Sequence, residues 1–321
     1  MAWLICGSVP DETFPLCLRR WAVRGERLEA LPVPGEPSPR PLAVERGTPA
    51  LMATACAACE ALGVEPPFTL LCGDQGKGDG SRALYAAFGE RAAAIDGLAG
   101  VTFHYLYPDL AGHDRVLMAI DAMERQPTLV ADAGFMYVSK MSGYAARFDL
   151  FTPDIGELSF LADEKAPHPF YTRGFLLARE DDAPGLVERI WTRPPEERNC
   201  PRVLLVKGCR DLIVEDGRIV DTVDEPFTPA LEAVGGTGDL VTGLVTALLA
   251  AGRPMIESCR VAARAARAAG AMASPTPATQ LREILPFVGR ALQGVLREGD
   301  RAERCLGEGY APVLHAPAGK I

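Results

Sequence analysis

Val234-Gly235-Gly236-Thr237-Gly238-Asp239 runs directly into LVTGLVTALLAAG (240–252), and this junction decides how the rest of the chain is read. Small residues allow a tight turn, and the apolar run predicts a helix opening at the aspartate. Such a turn aims several backbone N–H groups at one point, with the positive end of the helix dipole behind them. That is an anion site. Asp239 stands at its lip. Its carboxylate can take a proton from a hydroxyl brought against the bound anion, or it can simply N-cap the helix.

Working outward, the 321 residues are 48% hydrophobic and 23% charged, the composition of a globular protein. A net charge of −9 opposes the phosphate backbone of a nucleic acid as partner. The longest apolar run, 240–252, falls short of the roughly 20 residues a membrane span needs. The nine cysteines are scattered, and Met1 to Pro10 lacks the basic start of a leader, so a reduced, cytoplasmic setting is expected.

Strand and helix patterns alternate from Pro49 onward. Apolar runs at 68–72, 101–107, 128–133, 148–152 and 203–207 predict strands, and the segments between them predict helices. Strands that are apolar throughout, rather than alternating, imply a parallel sheet covered on both faces. The expectation is an α/β fold with three αβα layers and a mainly parallel central sheet. DLIVEDGRIVDTV (211–223) predicts a hairpin around Asp216-Gly217. Helices are expected at 239–251, 255–273 and 278–297. Residues 1–48 read as one short strand (2–6) and an irregular segment with prolines recurring from Pro32 to Pro41. Residues 49–298 form the main domain, and 299–321 a polar tail.

Loops at the carboxyl ends of parallel strands gather at one sheet edge, where ligands bind, and four of them carry chemistry here. Gly73-Asp74-Gln75-Gly76-Lys77-Gly78-Asp79-Gly80-Ser81 offers free N–H groups and a lysine for a phosphate, without Walker A spacing. Asp132 ends a strand and can hold a ligand or cap the next helix. In Thr152-Pro153-Asp154-Ile155-Gly156-Glu157, Glu157 suits the helix dipole and could also reach Mg2+ through water. Lys207-Gly208 faces the same edge and can contact a nucleotide phosphate.

The order of these motifs resembles the ribokinase-like superfamily, in particular the ATP- or ADP-dependent NAD(P)H-hydrate dehydratases. The matching residues are VADAGF (130–135), FTPDIGEL (151–158), VKG (206–208) and GGTGDLVTGLVTALLAAG (235–252). The chain departs from the family pattern at Gly134 (aspartate), at Asp154 (histidine) and in the 73–81 loop. The resemblance implies that Gly235, Gly236, Thr237, Gly238, Lys207 and Gly208 bind the phosphates of ADP or ATP, and that Asp239 is the base. It implies that Glu157 orients Mg2+ through water. The substrate would be met by Gly73, Asp74, Gly76, Lys77, Gly78, Asp132 and Asp154. That substrate is hydrated NADH or NADPH, or a small alcohol if the chain is a kinase; both need the same anion hole and base. A non-catalytic nucleotide-binding regulator is the third reading, and assembly into a homo-oligomer is a further implication.

Other motifs read as structural. Cys56 and Cys59 lie within an Ala-rich helix with no second pair for zinc. His104, His113, His168 and His315 show no metal-ligand spacing. Arg260, Arg264 and Arg267 share one helix face, expected to be solvated.

Overall fold

A computed structural model describes residues 1–169 and 177–308. The strands are β1 (Ala2–Val9), β2 (Cys17–Arg19), β3 (Trp21–Arg24), β4 (Arg27–Ala30), β5 (Leu42–Ala43) and β6 (Phe68–Gly73). They continue with β7 (Leu98–His104), β8 (Thr128–Ala131), β9 (Leu150–Phe151), β10 (Val203–Val206), β11 (Asp211–Glu215) and β12 (Arg218–Val223). Nine of them form one sheet in the order β12-β11-β10-β9-β8-β7-β1-β6-β2, and β3, β4 and β5 form a small second sheet. From β6 to β10 all neighbours are parallel. The antiparallel strands β2, β11 and β12 close the two edges.

Residues alternate between the faces of a strand, so a strand covered on both sides feeds two cores. In β1, Trp3 and Ile5 point into one core and Leu4 and Cys6 into the other. The first core is covered by α1 (Thr48–Leu62), α7 (Thr237–Ala250), α8 (Met255–Met272) and α10 (Val288–Glu308). The second is covered by α2 (Asp79–Ala93), α3 (Leu110–Asp121), α4 (Ala133–Met141), α5 (Ile155–Ala162) and α6 (Ala183–Trp191). Three αβα layers follow, as expected. Gly243 of α7 faces the Leu51 carbonyl and Thr54 of α1, where a Cβ would collide, so a glycine here lets the two helices close.

Three expectations change. Residues 10–45 are not wholly irregular but supply β2, β3, β4 and β5; the prolines from Pro32 to Pro41 lie in the connection from β4 to β5. The helix expected over 278–297 is broken into α9 (Leu281–Ile284), a 3-10 turn at Leu285–Phe287 and α10, with Pro286 at the break. The polar tail begins later than 299, because α10 runs to Glu308; residues 309–321, with His315, lie outside the described residues. The expected hairpin is present, with Asp216 (φ 49°) and Gly217 (φ 79°) both left-handed as a two-residue turn requires.

His113 sits in the second core, fully buried beside the rings of Phe135, Tyr144 and Phe148. Neither ring nitrogen has a hydrogen-bond partner, and Asp114 is 3.6 Å away. Burial, only partly offset by Asp114, pushes its pKa down to about 4. The folded state therefore refuses a proton that the unfolded chain binds below about pH 6.5. Stability on this account is complete above pH 6.5 and falls as the pH drops toward 4, by about 2–3 kcal/mol. His113→Phe is expected to flatten that slope in urea unfolding. Parallel pH profiles for the two proteins would refute the assignment.

Candidate active site

The carboxyl ends of β7, β8 and β10 meet the amino end of α7 around a cavity of about 550 Å³, a volume suited to a small ligand. Gly236 is the N-cap of α7, with φ 93°, a left-handed conformation that favours glycine. No side chain caps this end. The backbone from Gly236 to Asp239 therefore lines the cavity with N–H groups that no side chain caps, and the helix dipole lies behind them. Over this turn lies the segment Glu45-Arg46-Gly47, whose Glu45 carbonyl is the nearest atom to a Cβ placed on Gly236.

Asp239 is not the helix cap. It stands three residues inside, and its carboxylate turns sideways. Oδ2 accepts the Gly47 N–H at 2.5 Å, and Oδ1 lies 3.0 Å from His104 Nε2. His104 ends β7 and is fully buried; its Nδ1 is 3.1 Å from the Thr48 hydroxyl at the start of α1. The histidine and the Gly47-Thr48 pair lie far from Asp239 in sequence and carried no signal of their role there. A lone His in VTFHY offers no spacing to read.

Beside this group lies a buried ion pair. Lys207 Nζ donates to both oxygens of Asp132, at 2.9 and 2.8 Å, and the Thr242 hydroxyl donates to Asp132 Oδ2 at 2.6 Å. Burial works against both charges. Lys207 nevertheless holds the Asp132 carboxyl below its ordinary range, while Asp132 holds the Lys207 ammonium above its own. Asp132 also caps α4, accepting from Ala133 N, which is the capping role expected of it. The Lys207 ammonium lies 3.5 Å from where a Cβ on Gly238 would stand, directly under the first turn of α7.

Glu157 and Asp154 form a reciprocal capping box on α5. Glu157 accepts from the Asp154 N–H and the Tyr137 hydroxyl, each at 2.8 Å. Burial, then Asp132 and Asp154, push its carboxyl up to about 8. Among the described residues no group of three or more His, Cys, Asp or Glu side chains is arranged to hold a metal.

Asp132, Asp154, Glu157, Lys207, Gly208, Gly236, Thr237, Gly238 and Asp239 all border the cavity, with Gly235 just outside its lining. The loop Gly73–Ser81 is different. Asp74 accepts from the N–H groups of Gly76, Gly78 and Ser81 and from the Ser81 hydroxyl, so it occupies donors expected to receive a phosphate. Lys77 pairs with Glu12 at 2.7 Å and is largely exposed. This loop borders a separate cavity of about 400 Å³.

One further expectation is corrected. Arg267 is not solvated: its Nε donates to Asp211 at 2.8 Å, and its other nitrogens bind the carbonyls of Gly208, Cys209 and Asp224. It pins the turn after Lys207. Arg260 of the same face pairs with Asp221. Gly134, where the resembling family carries aspartate, has no room for a Cβ against the Leu106 carbonyl, and Ala133 before it is held at φ 47°. The departure belongs to this local backbone.

Residues 112–286, more than half of the chain, match the family model described as NAD(P)H-hydrate dehydratase. An uncharacterised protein of Methanocaldococcus jannaschii is 36% identical over 226 residues, covering 70% of this chain and 90% of that one. The ADP-dependent (S)-NAD(P)H-hydrate dehydratase of Cenarchaeum symbiosum is 25% identical over 177 residues, 54% of this chain and 55% of that one. Ribokinase from Cryptococcus neoformans var. grubii serotype A, solved with ADP, has a TM-score of 0.51 at 16% identity, covering 91% of this chain and 98% of that chain. A putative phosphomethylpyrimidine kinase from Bacteroides thetaiotaomicron scores 0.53 at 15% identity, covering 91% and 94%. These two show a shared ribokinase-like fold.

Proposed function

The chain belongs to the NAD(P)H-hydrate dehydratase family, and from that premise we propose that it repairs hydrated NADH and NADPH by a nucleotide-dependent dehydration. The terminal phosphate of ADP or ATP rests on the N–H groups of Gly236, Thr237 and Gly238. Those donors are fixed before the reaction and stabilise charge as it develops on the transferring group. Lys207, held by Asp132 beneath the same turn, adds a fixed positive charge next to that oxyanion position.

Asp239 takes the proton of the hydrate's hydroxyl as its oxygen attacks phosphorus and the bond to the nucleotide breaks. The resulting phosphate ester then loses phosphate and a ring proton, which restores the double bond of the reduced nicotinamide. No step is assigned to a protein-held metal. The observation that supports this reading best is an uncapped helix N-terminus with a carboxylate beside it that is not its cap.

The test is recovery of the reduced-nicotinamide absorbance from hydrated NADH, with ADP and ATP in parallel. Recovery with either nucleotide, and none without, is the expected result. Folded protein that leaves the hydrate unchanged but phosphorylates a small alcohol would replace this reading with that of a kinase.

A further inference from the structure

The residue left unused by this chemistry is His104, a fully buried imidazole in hydrogen-bond contact with the base. We infer that His104 is the positioning residue for Asp239: its Nε2–H holds the carboxylate in its reactive orientation, with the tautomer set by the Thr48 hydroxyl. The inference rests on the reading of Asp239 as base.

The tautomer follows from donor counting. Asp239 Oδ2 already accepts the Gly47 N–H, and an ionised carboxylate has only acceptors to offer. The partner of Oδ1 must therefore donate, which puts a proton on Nε2. In the neutral ring Nδ1 is then an acceptor, and the group 3.1 Å from it is a hydroxyl able to donate. Asp132 does not compete: its nearer oxygen is 3.9 Å from Nε2 and already takes donors from Lys207 and Thr242.

The two donors on Asp239 come from separate elements, the N-cap of α1 and the end of β7. Together they fix both carboxylate oxygens while leaving lone pairs toward the cavity. A base held this way need not reorient when the hydroxyl arrives. Tyr105, which follows His104, lines the same cavity and meets the imidazole edge-on, with ring centroids 4.4 Å apart.

The experiment compares wild type, His104→Ala, His104→Gln, Asp239→Asn and the double variant His104→Ala/Asp239→Asn, with hydrated NADH and whichever of ADP or ATP supports turnover. If the protein instead phosphorylates an alcohol, that alcohol is the acceptor. His104→Ala is expected to lower kcat about 10–100-fold with both KM values within about twofold, the pattern of a lost orienting partner. His104→Gln, whose side-chain amide reaches the Nε2 position, is expected to recover most of it. The double variant is expected to be no slower than Asp239→Asn, because His104 acts only through that carboxylate.

A kcat within twofold of wild type for His104→Ala would overturn the inference. So would a loss that adds to that of Asp239→Asn, or one that His104→Gln leaves uncorrected. A second readout needs no turnover. Nitrogen NMR of the His104 ring, assigned through His104→Gln, is expected to show the Nε2–H tautomer in wild type and Nδ1–H in Asp239→Asn. Nδ1–H in the wild type would overturn the inference by itself. Wild-type turnover by Asp239→Asn would instead sink the reading of Asp239 as base.

Discussion

Asp239→Asn is expected to lower nucleotide-dependent turnover by about 10²–10⁴-fold, the contribution of a positioned general base, while nucleotide affinity changes no more than a few-fold. The substitution is well suited to the site. An asparagine can accept the Gly47 N–H through its oxygen and donate its amide to His104 Nε2, provided the imidazole moves its proton to Nδ1 and donates to Thr48. The turn from Gly236 to Gly238 is formed by backbone and a left-handed glycine rather than by this carboxylate, so the anion site should survive. What is lost is the lone pair basic enough to take a proton. Steady-state kinetics with nucleotide titration by calorimetry separates the two effects. Turnover within twofold of wild type would remove Asp239 from the role of base, and a loss of nucleotide binding in proportion to kcat would make it a structural residue.

Lys207→Met has the largest expected effect on stability. It leaves the Asp132 carboxylate, 2% exposed, without the ammonium that neutralises it. Breaking a buried pair on one side costs about 3–5 kcal/mol, because the remaining carboxylate loses its counter-ion and keeps only the Thr242 hydroxyl and the Ala133 N–H as donors. Adding Asp132→Asn should restore most of that loss, since a neutral amide needs no counter-ion. The deficit of the single variant should shrink as the pH falls. Without Lys207 the Asp132 pKa in the folded state rises above its unfolded value of about 3.9, so acid favours the folded form relative to neutral pH. Urea unfolding of the three proteins at two pH values gives both results. A Lys207→Met protein within about 1 kcal/mol of wild type would mean that the pair is solvated and contributes little.

The fold was legible because its signal is local. Runs such as VLLV (203–206) and TLVA (128–131) are apolar on both faces, which only a strand between two helical layers tolerates. The segment 10–45 was misread because proline density describes a connection and hides the short strands beside it. The solvated-face expectation for Arg267 failed for a different reason. Helical spacing shows that residues share a face, but not whether the β11–β12 hairpin will cover it with Asp211.

By itself the sequence determined the parallel sheet, the helix opening at the Gly236 turn and the row of polar residues along one sheet edge. Each follows from periodicity or from the conformational freedom of glycine, which act over a few neighbours. Only the tertiary structure decided what those residues do to one another. It turned Asp239 from a helix cap toward Gly47 and His104, paired Lys207 with Asp132, occupied the N–H groups of the 73–81 loop with Asp74, and raised the Glu157 pKa by burying it among carboxylates. Hydrogen bonds and charge interactions in a buried site act through space, between residues as far apart in the chain as Gly47 and Asp239.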